Sequence, residues 1–520
     1  MRRSLLVAVL ATLLAFVVCG WISAQARLVD VEIWEGASVS ESGPPPDDWK
    51  AYQIVRDKLG INWKVVLLPS TLTDQDTKIN AAAAANNLPD MFLVNRDAWY
   101  RLARAGLLAP IDPMLPMMPV RTATHYNDPV ARKLVTLNKV MYGLPEPGQM
   151  PMTDGFVVRK DWLTKLGLQP PKTLDDFMAV AKAFTERDPD GNGKNDTYGF
   201  GAYIESSGIQ QAALGLRFEW IYGAFGVSGT WNTQGKDSFG LNARNPNMMR
   251  ATQFIKSMVD AKVIDPDWPV IKKDEYRARW KQGKWGMMHE NFAALATMAN
   301  YKDFDKNFPN GEWMAVAPSK GPEGASTENV LLKNVRIHAI SQRAVKAGKT
   351  EAIAKLLEWM ANPEGYYLLG FGYEGEHFKK LPNGEISVEG IPAEKVWTAK
   401  AQQPFTQLRN LVFINTDVEL KARYVPFKTA IGRLQDPLAY WNAFRSFPYT
   451  DSTGASIINP PANAADFSRF YSENIMKFVL GQQPLTDATW AEFVMGLDRL
   501  GARQWEATAR TALTEAGFLD

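Results

Sequence analysis

The sequence predicts an α/β protein in which helices cover a parallel sheet. Strict alternation of apolar and polar residues predicts a strand over 29–34. Two further strand-like runs, 61–68 and 91–94, alternate with helical segments. This β-α-β-α-β order is typical of a parallel sheet, whose strands need long crossover connections. The last hundred residues show mostly helical spacing, so we expect a helical C-terminal region.

The N-terminal segment 1–26 has the pattern of a secretory signal peptide. Two arginines precede an apolar run over 5–18, and an A-x-A pattern occupies 24–26. An uncleaved membrane anchor is the alternative, because the run is near the lower length limit for a span. Lipoprotein acylation at Cys19 is less favoured, because the preceding Val18 is bulky where a small residue is usual.

Composition bounds the function of the rest of the chain. The 520 residues include 58 basic and 56 acidic side chains. If cleavage follows Ala26, the mature chain of 494 residues has a formal charge of zero and no Cys. This balance argues against a dedicated nucleic-acid-binding protein, and the lack of Cys excludes a disulfide framework or a Cys-based zinc site. The 17 Trp, 16 Tyr and 25 Phe make the chain rich in aromatic residues.

Two helix starts are clear. Thr173 and Asp176 form a capping box, and apolar residues at helical spacing follow over 177–184. Near the C-terminus, one amphipathic helix is expected over 467–478 and another after Thr486.

The segment 188–199 carries the strongest local motif. Side-chain oxygens fall at positions 1, 3, 5 and 9, with Gly at position 6, as in an EF-hand calcium loop. Position 12 is Gly199 in place of a bidentate Glu, so the missing ligand must come from Thr197, a distant residue such as Glu205, or water. A metal-free turn rich in Gly, Asn and Asp is the alternative. The predicted ligands of a structural Ca²⁺ are Asp188, Asp190, Asn192, Lys194 through its carbonyl, Asp196 and Thr197.

Common catalytic motifs are absent from the sequence. There is no G-x-S-x-G, H-E-x-x-H, P-loop or G-x-G-x-x-G pattern, and the four His are scattered. A pair of carboxylates, as in a glycosidase, leaves no signature in sequence spacing. We therefore expect a protein without catalytic activity, with a hidden carboxylate pair as the open alternative.

Six short segments, in a fixed order, match a known pattern. They are the LPD strand entry at 87–90, the loop 188–196, the segments DAKVIDPD at 260–267 and GKWGMM at 283–288, GYEGEHF at 372–378, and GQQPLT at 481–486. Together they resemble family 1 extracellular solute-binding proteins of ABC importers. The likeness is greatest to the oligosaccharide-binding subgroup that includes the alginate-binding proteins. In the alginate-binding loop a Glu follows the residue that matches Asp196, whereas this chain has Thr197.

The resemblance implies a two-lobed, type II periplasmic-binding-protein-like fold. Its α/β lobes are joined by crossing strands, and they close on a ligand in the cleft between them. It places the first crossing near 151–155 and the return near 315–318. The implied division is a signal peptide at 1–26, a first lobe of 27–152 plus 315–345, and a second lobe of 153–314 plus 346–520.

A cleft that holds a sugar needs aromatic rings for its C–H faces and planar polar groups for its hydroxyls. The aromatic candidates, near predicted strand ends or Gly-rich segments, are Trp34, Trp220, Trp231 and Tyr373. The polar candidates are Asn95, Arg96, His289, Asn291, Arg336 and Glu376. Each aromatic candidate could instead belong to the core. If the sugar is a uronate, an arginine such as Arg96 or Arg336 is expected to meet its carboxylate.

Three functions remain open at this stage. The first is an exported, monomeric binding protein that delivers an oligosaccharide to the membrane permease of an ABC importer. The second is a secreted carbohydrate-active enzyme, such as a glycosidase or lyase, which would also use aromatics and structural calcium. The third is a binding protein for a non-sugar solute such as a peptide. The resemblance favours the first.

Overall fold

The computed structural model describes residues 28–36, 44–69, 72–145, 150–204, 214–330, 336–399 and 408–519. The predicted signal peptide with its Cys19, and also Glu205, lie outside the described residues. Within the described ranges, no helix is both long enough and apolar enough to cross a membrane.

Two mixed sheets contain most of the longer strands. In chain order the strands are β1 (Val29–Gly36), β2 (Ile61–Leu68), β3 (Met91–Asn95), β4 (Leu144–Pro145), β5 (Asp154–Arg159), β6 (Tyr198–Gly201), β7 (Trp285–Asn291), β8 (Trp313–Ala315), β9 (Glu328–Val330) and β10 (Arg336–Ile340). The first sheet has the order β2-β1-β3-β10-β4, and the second has the order β8-β5-β7-β6. The predicted α/β class is confirmed.

Strand directions match the predicted β-α-β-α-β start. β1 pairs in parallel with both β2 and β3, while β10 runs antiparallel to β3. In the second sheet β7 is parallel to β6 and antiparallel to β5. The alternation in β1 has a simple cause, since Val31 and Ile33 are buried while Glu32 and Trp34 on the other face are half-buried.

Helices surround both sheets. In chain order they are α1 (Lys50–Leu59), α2 (Leu72–Ala84), α3 (Arg96–Arg104), α4 (Pro119–His125), α5 (Pro129–Leu134), α6 (Lys160–Leu166), α7 (Leu174–Glu186), α8 (Glu219–Ala224), α9 (Pro246–Asp260), α10 (Lys273–Lys281), α11 (Phe292–Ala296), α12 (Met298–Asn307), α13 (Gln342–Lys346), α14 (Thr350–Ala361), α15 (Pro363–Phe371), α16 (Asp417–Arg423), α17 (Pro437–Arg445), α18 (Ala464–Val479), α19 (Asp487–Arg499) and α20 (Ala502–Glu515). The predicted caps are confirmed, because Thr173 and Thr486 each close a capping box at the start of α7 and α19.

The C-terminal helices pack on elements of the second lobe. α18 contacts α9, and the Trp490 indole N–H of α19 donates to the Ala243 carbonyl at 3.0 Å. The Glu506 carboxylate of α20 accepts hydrogen bonds from the Leu241 N–H and from the Arg244 guanidinium, both at 2.9 Å. These contacts attach the helical end of the chain to the segment 231–260.

Helix α14 packs on the first lobe. It contacts α1, α4 and β1, and its Glu358 carboxylate accepts the backbone N–H groups of Val120 and Arg121 at 3.1 and 3.0 Å. This helix belongs to the range 346–520, which the predicted division assigns to the second lobe. The contacts favour moving α14 to the first lobe, whereas the rest of the division stays a prediction.

Candidate functional site

In each sheet one antiparallel strand begins at the carboxyl edge of the parallel strands. Register places Arg336, the first residue of β10, opposite Asn95 at the end of β3. In the same way Asp154, the first residue of β5, lies opposite Asn291 at the end of β7. Open α/β sheets bind ligands at such edges. Because β9 ends at Val330 and β10 begins at Arg336, those two residues are at most about 21 Å apart, so the start of β10 lies within that distance of the end of β9.

A buried acid–base pair underlies the edge of the first sheet. His338 Nε2 lies 2.8 Å from a Glu35 carboxylate oxygen, and both side chains are buried. The other Glu35 oxygen accepts the Gly36 N–H at 3.1 Å. A Cβ on Gly36 would lie 2.7 Å from Arg336 Nη2, so the glycine leaves the space that the half-buried guanidinium occupies. Arg336 is therefore held at the edge of the sheet.

Asn95 and Asn291 both cap helices. The Asn95 side-chain oxygen accepts the Ala98 N–H at 2.9 Å, and its amide nitrogen donates to Asp76. The Asn291 oxygen accepts the Ala293 N–H at 3.0 Å, and its amide nitrogen donates to Asp154 at 3.1 Å. Both amides are engaged with the protein, so they position the start of α3 and of α11 at the two edges.

Arg96 is a mostly buried cation whose hydrogen bonds go to neutral oxygens. Nε donates to the Leu134 carbonyl at 3.0 Å, and Nη1 donates to the Asn459 amide oxygen at 3.2 Å. The guanidinium carbon lies 4.3 Å from the Trp99 ring centre. Burial lowers the pKa of Arg96 to about 10, although the nearby Asp97 opposes this. The contact with Asn459 joins α3 to the segment that leads into the C-terminal helices.

A buried ionic cluster forms the edge of the second sheet. Arg217 Nη1 donates to Asp154 at 3.1 Å and also to the His289 carbonyl, which accepts the Tyr276 hydroxyl at 2.9 Å as well. Burial would raise the pKa of Asp154, but the charges of Arg217 and His289 and the hydrogen bonds from Asn291 and Thr153 together outweigh it and hold that pKa below its ordinary value. His289 Nε2 lies 3.3 Å from a Glu328 carboxylate oxygen. The cluster thus joins β5, β7 and β9.

Sequence reasoning missed most of this cluster. Arg217 lies 63 residues from Asp154 and 72 from His289, so no local spacing connects them. Asp154 was within reach, since it lies in the predicted crossing at 151–155. Glu328 carries no pattern that distinguishes it from other acids of the chain.

Two of the predicted aromatic candidates lie in the core. Trp220 is fully buried, with its ring centre 4.8 Å from those of Phe156 and Phe177. Trp231 is equally buried, stacked on Phe239 at 5.7 Å. These contacts favour the alternative left open by the sequence, namely core packing.

Trp34 is the aromatic candidate that remains near an edge. Its indole N–H donates to Glu32 at 2.6 Å, and the Lys78 ammonium lies 4.6 Å from its ring centre. The ring is half-buried, near the carboxyl end of β1. Trp34 therefore stays a candidate contact at that edge, with Lys78 over its ring.

Tyr373 and Glu376 lie in the segment that directly follows α15. Tyr373 lines a cavity of about 520 Å³ between α1 and α15, and the Lys50 ammonium lies 4.8 Å from its ring centre. Burial raises the pKa of Tyr373 to about 12. The His377 Nδ1 atom accepts the Tyr373 N–H at 2.9 Å, while Glu376 is exposed. The structure therefore does not group these residues with the edge of the sheet.

The predicted calcium loop is closed by its own hydrogen bonds. Asp188 accepts the N–H groups of Gly191, Asn192 and Gly193, all at 3.0 Å. The Asn192 amide nitrogen donates to Asp190 at 2.9 Å and to Asp196 at 3.0 Å. In the described part of the chain no group of three or more His, Cys, Asp or Glu is arranged to hold a metal ion. Nevertheless, oxygens of Asp190 and Asp196 converge on one point, which a cation could occupy in place of the amide.

The last ligand position has a structural explanation. A Cβ on Gly199 would lie 2.3 Å from the Ala181 carbonyl oxygen, so β6 packs too closely on α7 for a Glu there. The Thr197 hydroxyl donates to the Phe184 carbonyl at 2.8 Å and is buried against α7. The Lys194 N–H donates to the Asn192 side-chain oxygen at 2.8 Å. Thr197 therefore faces away from the acids, and the remaining donors are carboxylate, amide and carbonyl oxygens, which are the ligand type that calcium takes.

Comparison with known proteins identifies the family. The model for bacterial extracellular solute-binding proteins matches residues 51–367, which is more than half of the chain. The chain belongs to this family. A relative in Bacillus subtilis, the polygalacturonan/rhamnogalacturonan-binding protein YtcQ, is 28% identical over 352 residues. That match covers 65% of this chain and 64% of the relative, so it spans less than two thirds of that protein's length.

Solved structures of solute-binding proteins share the whole fold. The FusA EF-hand mutant of Streptococcus pneumoniae, in complex with fructo-nystose, superposes with a TM-score of 0.67 at 17% identity, covering 94% of this chain and 99% of that chain. The alginate-binding protein AlgQ2 without calcium ion gives a TM-score of 0.65 at 16% identity, covering 94% and 98%. The predicted two-lobed solute-binding fold is thereby confirmed.

Proposed function

We propose that this solute-binding protein captures an oligosaccharide between its two lobes and delivers it to the membrane permease of an ABC importer. The observation that carries the proposal is the polar carboxyl edge of each sheet, with Arg336 at the first and the Arg217 cluster at the second. Sugar hydroxyls require such converging donors and acceptors. Family membership and the sugar complexes of the similar folds support the same function.

An acidic oligosaccharide is the ligand class that the first edge fits best. The Arg336 guanidinium is half-buried at the carboxyl end of β3, and guanidinium groups bind carboxylates through two parallel hydrogen bonds. The relative YtcQ is described as binding polygalacturonan, whose galacturonate units carry carboxylates. Trp34, close to the same edge, is the proposed contact for a sugar face. In this proposal, Tyr373 and Glu376 contact the ligand only if it is long enough to reach the cavity beside α1.

Isothermal titration calorimetry tests this function directly. We expect saturable, one-site binding of a galacturonate trimer and weaker binding of a neutral fructooligosaccharide of equal length. Chromatography of the sugar after long incubation is expected to return it intact. Release of shorter products would instead favour the secreted carbohydrate-active enzyme. Absence of binding to both sugars, with binding to a peptide mixture, would favour the non-sugar alternative.

Export completes the proposed function. The segment 1–26 directs secretion and is removed, and the mature protein acts as a monomer in the periplasm or outside the cell. Acylation at Cys19 is the less favoured alternative.

The loop 188–196 is proposed to hold a structural Ca²⁺. Carboxylate oxygens of Asp188, Asp190 and Asp196, the turned Asn192 amide and the Lys194 carbonyl would supply ligands, and water the remainder. The loop follows α7 and leads into β6, so a metal there would stabilise the junction between that helix and the second sheet. The EF-hand named for the similar FusA structure supports the assignment.

A further inference from the structure

Two lysines from outside the calcium loop place their ammonium groups on it. Lys284 Nζ lies 2.8 Å from an Asp196 carboxylate oxygen and 3.4 Å from the Asp196 carbonyl. Lys165 Nζ lies 3.2 Å from the Asp188 carbonyl. The two ammonium groups thus contact the first and ninth residues of the loop. Their combined charge of +2 is the same as that of one Ca²⁺.

The position of Lys284 is fixed by the second sheet. The Lys284 carbonyl accepts the Tyr198 N–H at 2.8 Å, and the next pair in the register is Trp285 with Tyr198. The backbone of Lys284 is therefore held beside Tyr198, which follows Asp196 by two residues at the end of the loop.

Lys165 occupies space that a glycine leaves. A Cβ on Gly191 would lie 2.6 Å from Lys165 Nζ, and Gly191 has a φ of 78°. Its ammonium meets a carbonyl and no carboxylate of the loop in the hydrogen bonds of the described residues, so it neutralises the loop less directly than Lys284.

We infer that Lys284 is a built-in competitor of calcium, which keeps the loop folded without metal and weakens its affinity for Ca²⁺. This inference rests on the calcium site proposed above. A divalent ion that binds Asp196 must displace the ammonium or bind beside it, and both cost free energy through lost attraction or charge repulsion. Lys284 and Asp196 are 36% and 38% exposed, so salt screens the pair and the competition weakens at high ionic strength.

Removal of the Lys284 charge is the test. We expect the Lys284→Met variant to bind Ca²⁺ roughly three- to tenfold more tightly than the wild type by calorimetry at low salt. In chelator, the same variant is expected to melt at a lower temperature than the wild type, and added Ca²⁺ should restore its melting temperature.

Two further variants control the experiment. Lys194→Met removes an equal charge from inside the loop, where the charge of Lys194 acts on Asp196 more weakly than that of Lys284, and it should raise the affinity for Ca²⁺ less than Lys284→Met does. Lys284→Arg keeps the charge and should keep the wild-type affinity. If the wild type and Lys284→Met bind Ca²⁺ with equal affinity, or if Lys194→Met gains as much affinity as Lys284→Met, Lys284 is not a competitor of calcium. Either result would leave the calcium site itself intact. If none of the four proteins binds Ca²⁺, both the site and the competitor are wrong.

Discussion

Burial separates candidates that have the same residue type. Trp34, Trp220 and Trp231 all lie near predicted strand ends or glycines, yet two are in the core and only Trp34 remains half-exposed at an edge. Only tertiary contacts decide this, and no local pattern contains them. The capping roles of Asn95 and Asn291 were more accessible, because Asn directly before a helix is a favoured N-cap. The helix that starts directly after each of these two residues was thus the sequence signal that could have predicted their capping role.

The proposed preference for an acidic ligand rests on Arg336. The Arg336→Gln variant is expected to bind a galacturonate trimer at least about tenfold more weakly, because a hydrogen-bonded carboxylate contributes roughly 1.5–3 kcal/mol. Its affinity for a neutral fructooligosaccharide should stay within about twofold. Both affinities are measured by calorimetry.

Arg469→Gln is the matched control, since Arg469 is exposed on α18 and pairs only with Asp466 in the described contacts. An equal loss for acidic and neutral sugars would show that Arg336 supports the fold of the edge and does not choose the ligand.

Individual helices and strands could be predicted where the sequence has a hydrophobic period or a helix-capping residue. β1 to β3 agree with the predicted strands within two residues, and Thr173 and Thr486 begin their helices as expected. The second sheet had weaker signals. Val157 pairs with Met288 on one side and Ala315 on the other, from distant parts of the chain. β7 is buried on both faces, so it shows no alternation.

Chelation tests the loop as an element. If Ca²⁺ binds there, a chelator should lower the melting temperature of the wild type, because the ion stabilises only the folded loop. The Asp190→Ala variant should melt at a lower temperature with Ca²⁺ present and lose its sensitivity to chelator. Differential scanning fluorimetry measures both.

Asp303→Ala provides the comparison, because Asp303 is exposed on α12, outside the loop. It should keep the response of the wild type. A melting temperature that is the same with calcium and with chelator in the wild type would mean that the loop is an ordinary turn.

The whole molecule depends on contacts between distant segments. The resemblance implied two lobes, and the structure has two separate sheets. In each sheet one antiparallel strand, β5 or β10, begins at the carboxyl edge of the parallel strands. The Arg217 cluster joins the start of β5 to β9, so buried charges fix the predicted first crossing to a strand about 170 residues later in the chain. Helix α14 returns to the first lobe, which the sequence could not show because its partners lie more than 200 residues away.

Closure of the lobes is the measurement that tests the central claim most directly. Small-angle X-ray scattering of the mature protein gives its radius of gyration with and without a saturating galacturonate trimer. If the sugar binds between the lobes, the radius of gyration should decrease, and Arg336→Gln should need more sugar for the same change. A radius that stays constant while calorimetry shows full binding would contradict capture between the lobes.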